Sequence, residues 1–345
     1  MHKVGIIGHY GFGLDLANGQ TIKTKIVTEY VSKIVNNDLI TIDAHGGVKA
    51  IFPVVLGCIK CLFTCHNVII LLTENGLRVT VPVLTLINRI FHRRLHYVVI
   101  GGWLSDFLTQ HRSIEKKLKR FDYIYVETNT MKKALESKCF SNIVIMPNCK
   151  QLSILDPSEL QYFNNEPYPI CTFSRVMKEK GIETLVEVIK RINEEHKRTI
   201  YNLDIYGQVD SGQIEWFENL KGSFPTYISY GGVIPFERSV EVLKNYFLLV
   251  FPTHFYTEGI PGTIIDAYAA GVPVVSAKWE SFDDVVDENR TGLGYTFDNL
   301  EELYQLLLVL VNNPNIINNM RNNCLAKSSD YLIENSLSFL ISRLK

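Results

Sequence analysis

The chain has 345 residues, 46% of them hydrophobic and 21% charged, with a formal net charge of −1. That much apolar side chain is enough for two cored domains and excludes a disordered chain. No apolar run approaches the roughly 18 uninterrupted residues of a membrane span, and the seven unevenly spaced cysteines leave one over from any full pairing, which fits a reducing compartment.

The N-terminal residues turn directly into a strand, Lys3 to Gly8, rather than a signal peptide, so a cytoplasmic protein is expected. A glycine-rich loop follows, His9 to Thr21, and then a helix of roughly Ile22 to Val35. Doubly wound folds hold phosphates at such a first turn. The spacing of Gly8, Gly11, Gly13 and Gly19 does not make the dinucleotide fingerprint, and Asp43, at the end of the next strand (Leu39 to Asp43), is a distant candidate for a ribose acid. His45, beside Gly46 and Gly47, is either an acceptor-side residue or a structural histidine.

A helix from about Val48 to Cys65 carries Cys58, Cys61 and Cys65 on one face among Ile59, Leu62 and Phe63. With no second ligand pair at zinc spacing, the sulfurs read as core packing and no metal is expected. Strands at Val68 to Thr73, Tyr97 to Ile100, Tyr123 to Glu127 and Ile143 to Met146 alternate with helices at Arg78 to Phe91, Ser113 to Lys119 and Met131 to Lys138. This pattern predicts a parallel sheet covered on both faces. Gly102 and Trp103 follow one of these strands, and Trp103 either shapes an acceptor pocket or packs in the domain core.

Residues 1–150 hold 19 Lys and Arg against 10 Asp and Glu, a net of +9, and the remainder 16 against 26, a net of −10. Such asymmetry implies a surface partner for the basic half. Nucleic acid is disfavoured because no recognised motif or aromatic platform appears. An anionic membrane is favoured: in Arg112 to Phe121, Ile114, Leu118 and Phe121 share one side with cations around them, and Arg89, Arg93 and Arg94 add more; the alternative for this stretch is a solvated helix that covers its own sheet.

Residues 151–169, with three prolines and little periodicity, read as a linker between a first domain (1–150) and a second (170–330). Alternation then restarts with strands at Ile170 to Ser174, Tyr201 to Tyr206, Tyr227 to Tyr230, Leu248 to Phe251, Val272 to Ser276 and Leu293 to Phe297. The expected fold class is therefore α/β, with two doubly wound, Rossmann-like parallel sheets facing a cleft.

The second domain carries the chemistry. Arg175 and Lys180, in Ser174-Arg-Val-Met-Lys-Glu-Lys-Gly181, stand at a strand's carboxyl end before a helix and are placed to converge on a diphosphate. Downstream, Glu258-Gly-Ile-Pro-Gly-Thr-Ile-Ile-Asp266 feeds a loop into a helix whose first N–H groups, at Gly262, Thr263 and Ile264, form an anion site between two carboxylates. On the bland reading Glu258 complements the helix dipole and Asp266 is a solvated first-turn acid.

These two motifs resemble those of retaining, nucleotide-sugar-dependent glycosyltransferases of the GT-B fold, family 4 (group 1), of the bacterial polysaccharide-biosynthesis type. The family's second acid is usually Glu, where this chain has Asp266. The resemblance implies transfer of a hexosyl group from a nucleotide-diphosphate sugar to a glycan or lipid-linked acceptor in capsule or other cell-surface polysaccharide assembly, without metal or other cofactor. It implies Glu258 at the donor sugar, Arg175 and Lys180 at the diphosphate, Asp266 at the ribose, and Gly11, Gly13 and Gly19 meeting the diphosphate from the first domain. It also implies a last helix, about Leu332 to Arg343 (residues 331–345), packed back on the first domain. A nucleotide-sugar 2-epimerase and a non-catalytic nucleotide-sugar-binding protein are the alternatives. Product analysis without acceptor separates the first, and binding without turnover the second.

Overall fold

Val4, Ile6, Ile7, Val68, Ile69 and Ile70 lie on two adjacent strands and are all fully buried, as runs without polar alternation require when a sheet is covered on both faces. The computed structural model describes residues 2–13 and 19–344. They fall into two units, Met1–Gln151 with Leu332–Lys345, and Leu152–Tyr331.

The first unit runs β1 (His2–Gly8), α1 (Gly19–Ile34), β2 (Leu39–Asp43), α2 (Ile51–Thr64), β3 (Cys65–Leu71), α3 (Glu74–Phe91), β4 (Arg94–Val98), α4 (Leu104–Gln110), α5 (Arg112–Leu118), β5 (Tyr123–Val126), α6 (Asn129–Glu136) and β6 (Ile143–Ile145). Its six strands are parallel in the order β2-β1-β3-β4-β5-β6. The second unit runs β7 (Tyr168–Phe173), α7 (Ile182–Glu195), β8 (Tyr201–Tyr206), α8 (Ile214–Lys221), β9 (Ile228–Gly232), α9 (Ser239–Leu243), β10 (Leu248–Phe251), α10 (Gly262–Ala269), β11 (Val274–Ala277), α11 (Phe282–Val285), β12 (Gly292–Tyr295), α12 (Leu300–Asn312), α13 (Asn315–Asn318) and α14 (Arg321–Ser328). Its strands are parallel in the order β12-β11-β10-β7-β8-β9. The final helix, α15 (Ile333–Leu344), belongs to the first unit, where Leu337, Leu340 and Leu344 join Val4, Ile6 and Val31 in one apolar cluster.

Three sequence readings change. The expected strand at 97–100 begins earlier, at Arg94, so His96 is mid-strand and buried, hydrogen-bonded to Tyr125 and Asn67. The helix α4 was not expected, although Leu104, Phe107 and Leu108 bury one of its faces. The membrane-facing side assigned to residues 112–121 is also wrong: Ile114, Leu118 and Phe121 lie in the first unit's core. An amphipathic stripe is equally the inward face of a sheet-covering helix, and α5 packs against α3.

The three clustered cysteines are core residues. Cys58 and Cys61 sit on α2 and Cys65 opens β3, all three fully buried. Gly5 opposite them is a packing requirement, since a Cβ there would stand 2.7 Å from the Cys61 sulfur.

Candidate functional site

In the second unit the chain leaves β7 toward β8 on one side and, after crossing back, runs from β10 toward β11 on the other. Neighbouring strands whose connections diverge leave a crevice at their carboxyl ends, the usual ligand position in open α/β sheets. The loop after β7 (residues 174–181) and the loop after β10 (residues 252–261) are the two that meet there.

Their contact is close. Gly181 has φ 68° as it caps α7, and a Cβ on it would sit 1.8 Å from the Pro252 carbonyl oxygen. Only glycine combines that left-handed backbone with that approach. Gly181→Ala is therefore expected to destabilise the second unit by about 1–3 kcal/mol and to lower any donor-dependent activity with it. An unchanged denaturant midpoint would show that the two loops are not held against each other here.

Across this contact the Lys180 ammonium forms an ion pair with Glu258, each side chain 16% exposed. Glu258 also accepts a hydrogen bond from the Thr253 hydroxyl at 3.0 Å. The ammonium lies 4.9 Å from the Phe255 ring centroid and 5.4 Å from that of Phe251. These faces favour the charge where water is partly excluded. The His254 N–H donates to the Glu179 carbonyl at 2.9 Å, a second stitch between the loops. His254 itself, bonded to Asp298 and Thr184, was not singled out by the sequence.

Arg175 does not join Lys180. Its guanidinium reaches Asp210, in the loop after β8, at 2.8 Å and is 53% exposed. The expected convergence of the two cations is thus replaced by two separate carboxylate partners, and Asp210 carried no sequence signal because its partner lies 35 residues away. A cavity of about 780 Å³ lined by Lys178, Glu183, Gln213 and Trp216 lies on this β8 side, away from Glu258.

Beyond Glu258, α10 begins at Gly262 after Pro261, whose ψ of 128° is still extended. No acceptor among the described residues takes the Gly262 or Thr263 N–H, and the buried Thr263 hydroxyl has no partner either. Buried polar groups seldom stay unsatisfied, so this helix mouth is equipped to take an anion. Ile264 is a correction to the sequence reading: its N–H donates to the Pro261 carbonyl at 3.0 Å and its side chain is fully buried, because the helix tightens its first turn. The solvated-acid reading of Asp266 fails too, since that residue is 4% exposed on the inner face of α10.

In the first unit, Asp43 spends its carboxylate on the chain. It accepts from the backbone N–H groups of Tyr10 and His45, both at 2.9 Å, and of Phe12 at 3.1 Å. Burial works to raise its pKa, but these bonds outweigh it and hold the carboxyl below its usual range. Asp43 thereby shapes the loop in which Gly11 (φ 59°) and Gly13 (φ 82°) adopt left-handed backbone. Gly19 is the first residue of α1, and residues 14–18 lie outside the described ones. His45 is hydrogen-bonded at 2.9 Å to His9, which in turn meets Thr21 at 2.9 Å. Burial, then the adjacent His45, lowers the His9 pKa. Trp103 donates its indole N–H to the Ile100 carbonyl at 2.8 Å and stands edge-on to Phe107, so it packs on the core, while Gly102 beside it is buried.

Residues 168–313 match the model of the family described as glycosyl transferases group 1. An uncharacterized glycosyltransferase of Haemophilus influenzae is 28% identical over 191 residues, 53% of this chain and 52% of that protein, so the chain spans about half the length of this relative. Among solved structures, HepE of Anabaena, crystallised with UDP and glucose, superposes with a TM-score of 0.75 at 13% identity over 99% of both chains. Sucrose-phosphate synthase of Thermosynechococcus elongatus gives 0.73 at 13% identity, over 99% of this chain and 97% of that one. The pneumococcal O-GlcNAc transferase GtfA, with UDP and GlcNAc, gives 0.63 at 19% identity over 85% and 59%. The family match and the relative support a glycosyltransferase, and the chain has the two-domain, Rossmann-like α/β fold of these GT-B structures.

Proposed function

We propose that this chain moves a hexosyl group, with retention, from a nucleotide-diphosphate sugar to a glycan or lipid-linked saccharide acceptor in cell-surface polysaccharide assembly, at the cytoplasmic face of a membrane. The observation that carries the reading is the Lys180–Glu258 pair, which joins the two motifs at the carboxyl ends of β7 and β10. The match of residues 168–313 and the UDP in the HepE and GtfA complexes support it.

In this reaction the bond from the anomeric carbon to a phosphate oxygen breaks and its electron pair stays on the leaving diphosphate. The acceptor oxygen forms the new bond, and its proton leaves with the departing phosphate. Negative charge therefore grows at the diphosphate. The unspent N–H groups of Gly262 and Thr263 and the Thr263 hydroxyl are donors for it. Lys180 has three N–H bonds, so it can keep Glu258 and still donate to phosphate. Arg175 would add a second cation by exchanging Asp210 for the ligand. The charge of these groups is offered in place of a metal ion. Glu258 would face the oxocarbenium-like sugar, and Asp266 the ribose. Gly11, Gly13 and Gly19 remain donor-binding candidates in the first unit, and His45, Gly102 and Trp103 its acceptor-side candidates.

Calorimetry with free nucleoside diphosphate, alongside turnover, tests the division between the acids. Asp266→Asn should weaken nucleotide binding by about tenfold or more, the worth of a hydrogen bond to a charged group. An unchanged unfolding midpoint would serve as the control for its burial. Glu258→Gln should leave that binding nearly intact and lower kcat, because it acts where charge changes most on the way to the transition state. A Glu258 variant that loses nucleotide as badly as the Asp266 variant would overturn the assignment.

A further inference from the structure

Residues 47–64 are helical and form the one stretch among the described residues that is long and apolar enough to cross a membrane. They cannot be surrounded by lipid, because one face is committed to the sheet: Val54, Gly57, Cys58, Cys61 and Leu62 are buried, and a Cβ on Gly57 would stand 2.5 Å from Ile42. The other face is apolar as well. Val48, Phe52, Leu56 and Phe63 recur at helical spacing and are 84, 71, 49 and 56% exposed. On α3, which packs beside α2, Leu86 and Ile90 are 64 and 76% exposed, and Phe63 meets Phe91 with ring centroids 4.4 Å apart. Single exposed apolar residues are ordinary, but an aligned stripe across two packed helices is not.

The charge along this part of the chain is predominantly positive. From residue 44 to residue 105 the chain has Lys49, Lys60, Arg78, Arg89, Arg93 and Arg94 and a single acid, Glu74, which lies near Arg78. Lys49, Lys60 and Arg89 are exposed, and none has a carboxylate partner among the described residues. We propose that the exposed stripe of α2 and α3, with Lys49, Lys60 and Arg89 along it, docks the first unit on an anionic phospholipid bilayer. Phe52, Phe63 and Ile90 enter the boundary between headgroups and acyl chains while the cations meet lipid phosphates. A second copy is a poorer occupant, since a two-fold interface would set these unpaired cations against their own copies. The inference deepens the membrane-associated reading above and moves it from α5, whose apolar side is core, to α2 and α3.

Vesicle flotation tests it without donor or acceptor, so its outcome is independent of the transferase reading. At low salt the chain should float with vesicles of equimolar phosphatidylcholine and phosphatidylglycerol and sediment with phosphatidylcholine alone. Combining Phe52→Ser, Phe63→Ser and Ile90→Ser should cut recovery by at least about tenfold, given the apolar area each removes. Phe52 and Ile90 are mostly exposed and Phe63 gives up its ring contact with Phe91, so only a small drop in the unfolding midpoint is expected, and flotation is run well below it. Lys49→Gln, Lys60→Gln and Arg89→Gln should each lower vesicle recovery about fivefold. The proposal is overturned if the protein ignores both vesicles, if the triple variant floats as well as the parent, or if light scattering shows a dimer that the triple variant dissolves.

Discussion

Lys180→Ala should lower turnover by roughly two to three orders of magnitude, the usual cost of removing one preorganised charge from the place where charge develops. The second unit should stay folded, because Glu258 keeps its bond from Thr253 and the Gly181 cap does not depend on the lysine side chain. Lys180 and Glu258 touch, so their effects should not add. In a double-mutant cycle with Glu258→Gln, the pair should cost clearly less than the sum of the single losses. Arg175→Ala should cost less than Lys180→Ala, since its exposed guanidinium is held at Asp210 and must first exchange partners. Steady-state kinetics with the true donor decides this, and a Lys180→Ala enzyme with near-parental kcat would remove Lys180 from the site.

Arg321→Met is expected to be among the most destabilising single changes in the second unit, by about 3–5 kcal/mol. For a unit of this size that lowers the thermal midpoint by on the order of 10 °C. Arg321 is fully buried and donates to the carbonyls of Tyr246 and Phe247, both at 2.8 Å, and of Gly271 at 3.3 Å, with its guanidinium 5.0 Å from the Phe163 ring centroid. Burial pulls its pKa down to about 10, so it remains charged at neutral pH. Replacing a buried ion by an apolar side chain can be neutral when no partner is stranded, but here three backbone carbonyls would lose their donor. Those carbonyls precede β10 and follow α10, the two elements that carry Glu258 and the helix mouth, so activity should fall together with stability. A calorimetric midpoint equal to or above the parent's would refute this role.

Much of the architecture was legible because it rests on local periodicity. Short runs such as Val-Ile-Ile-Leu and Leu-Leu-Val-Phe, bounded by turn residues, read as strands buried on both faces, and their alternation with helical stretches predicts parallel sheets. The grouping of α15 with the first unit was expected only from family resemblance. Spacing also placed Glu258 ahead of a helix mouth and Lys180 before a strand-to-helix glycine, since turn chemistry depends on neighbouring residues.

What local pattern could not settle was which side of an apolar helix faces inward. On α5 the amphipathic stripe is core. On α2 the apolar residues make two stripes, and only packing against Ile42 and Gly5 shows that the Cys58–Cys61 face is the buried one. Nor could the sequence distribute its charges. The chain holds 35 Lys and Arg, and nothing local distinguishes Arg321, caged by three carbonyls, from Arg175, tied to Asp210, or Lys180, tied to Glu258 across 78 residues. Residue type and local spacing therefore determined the strands, the turns and the chemistry available. The sheet order brought the β7 and β10 loops together, and that contact decided which charge meets which, because electrostatic and packing partners are set by distance in space rather than distance along the chain.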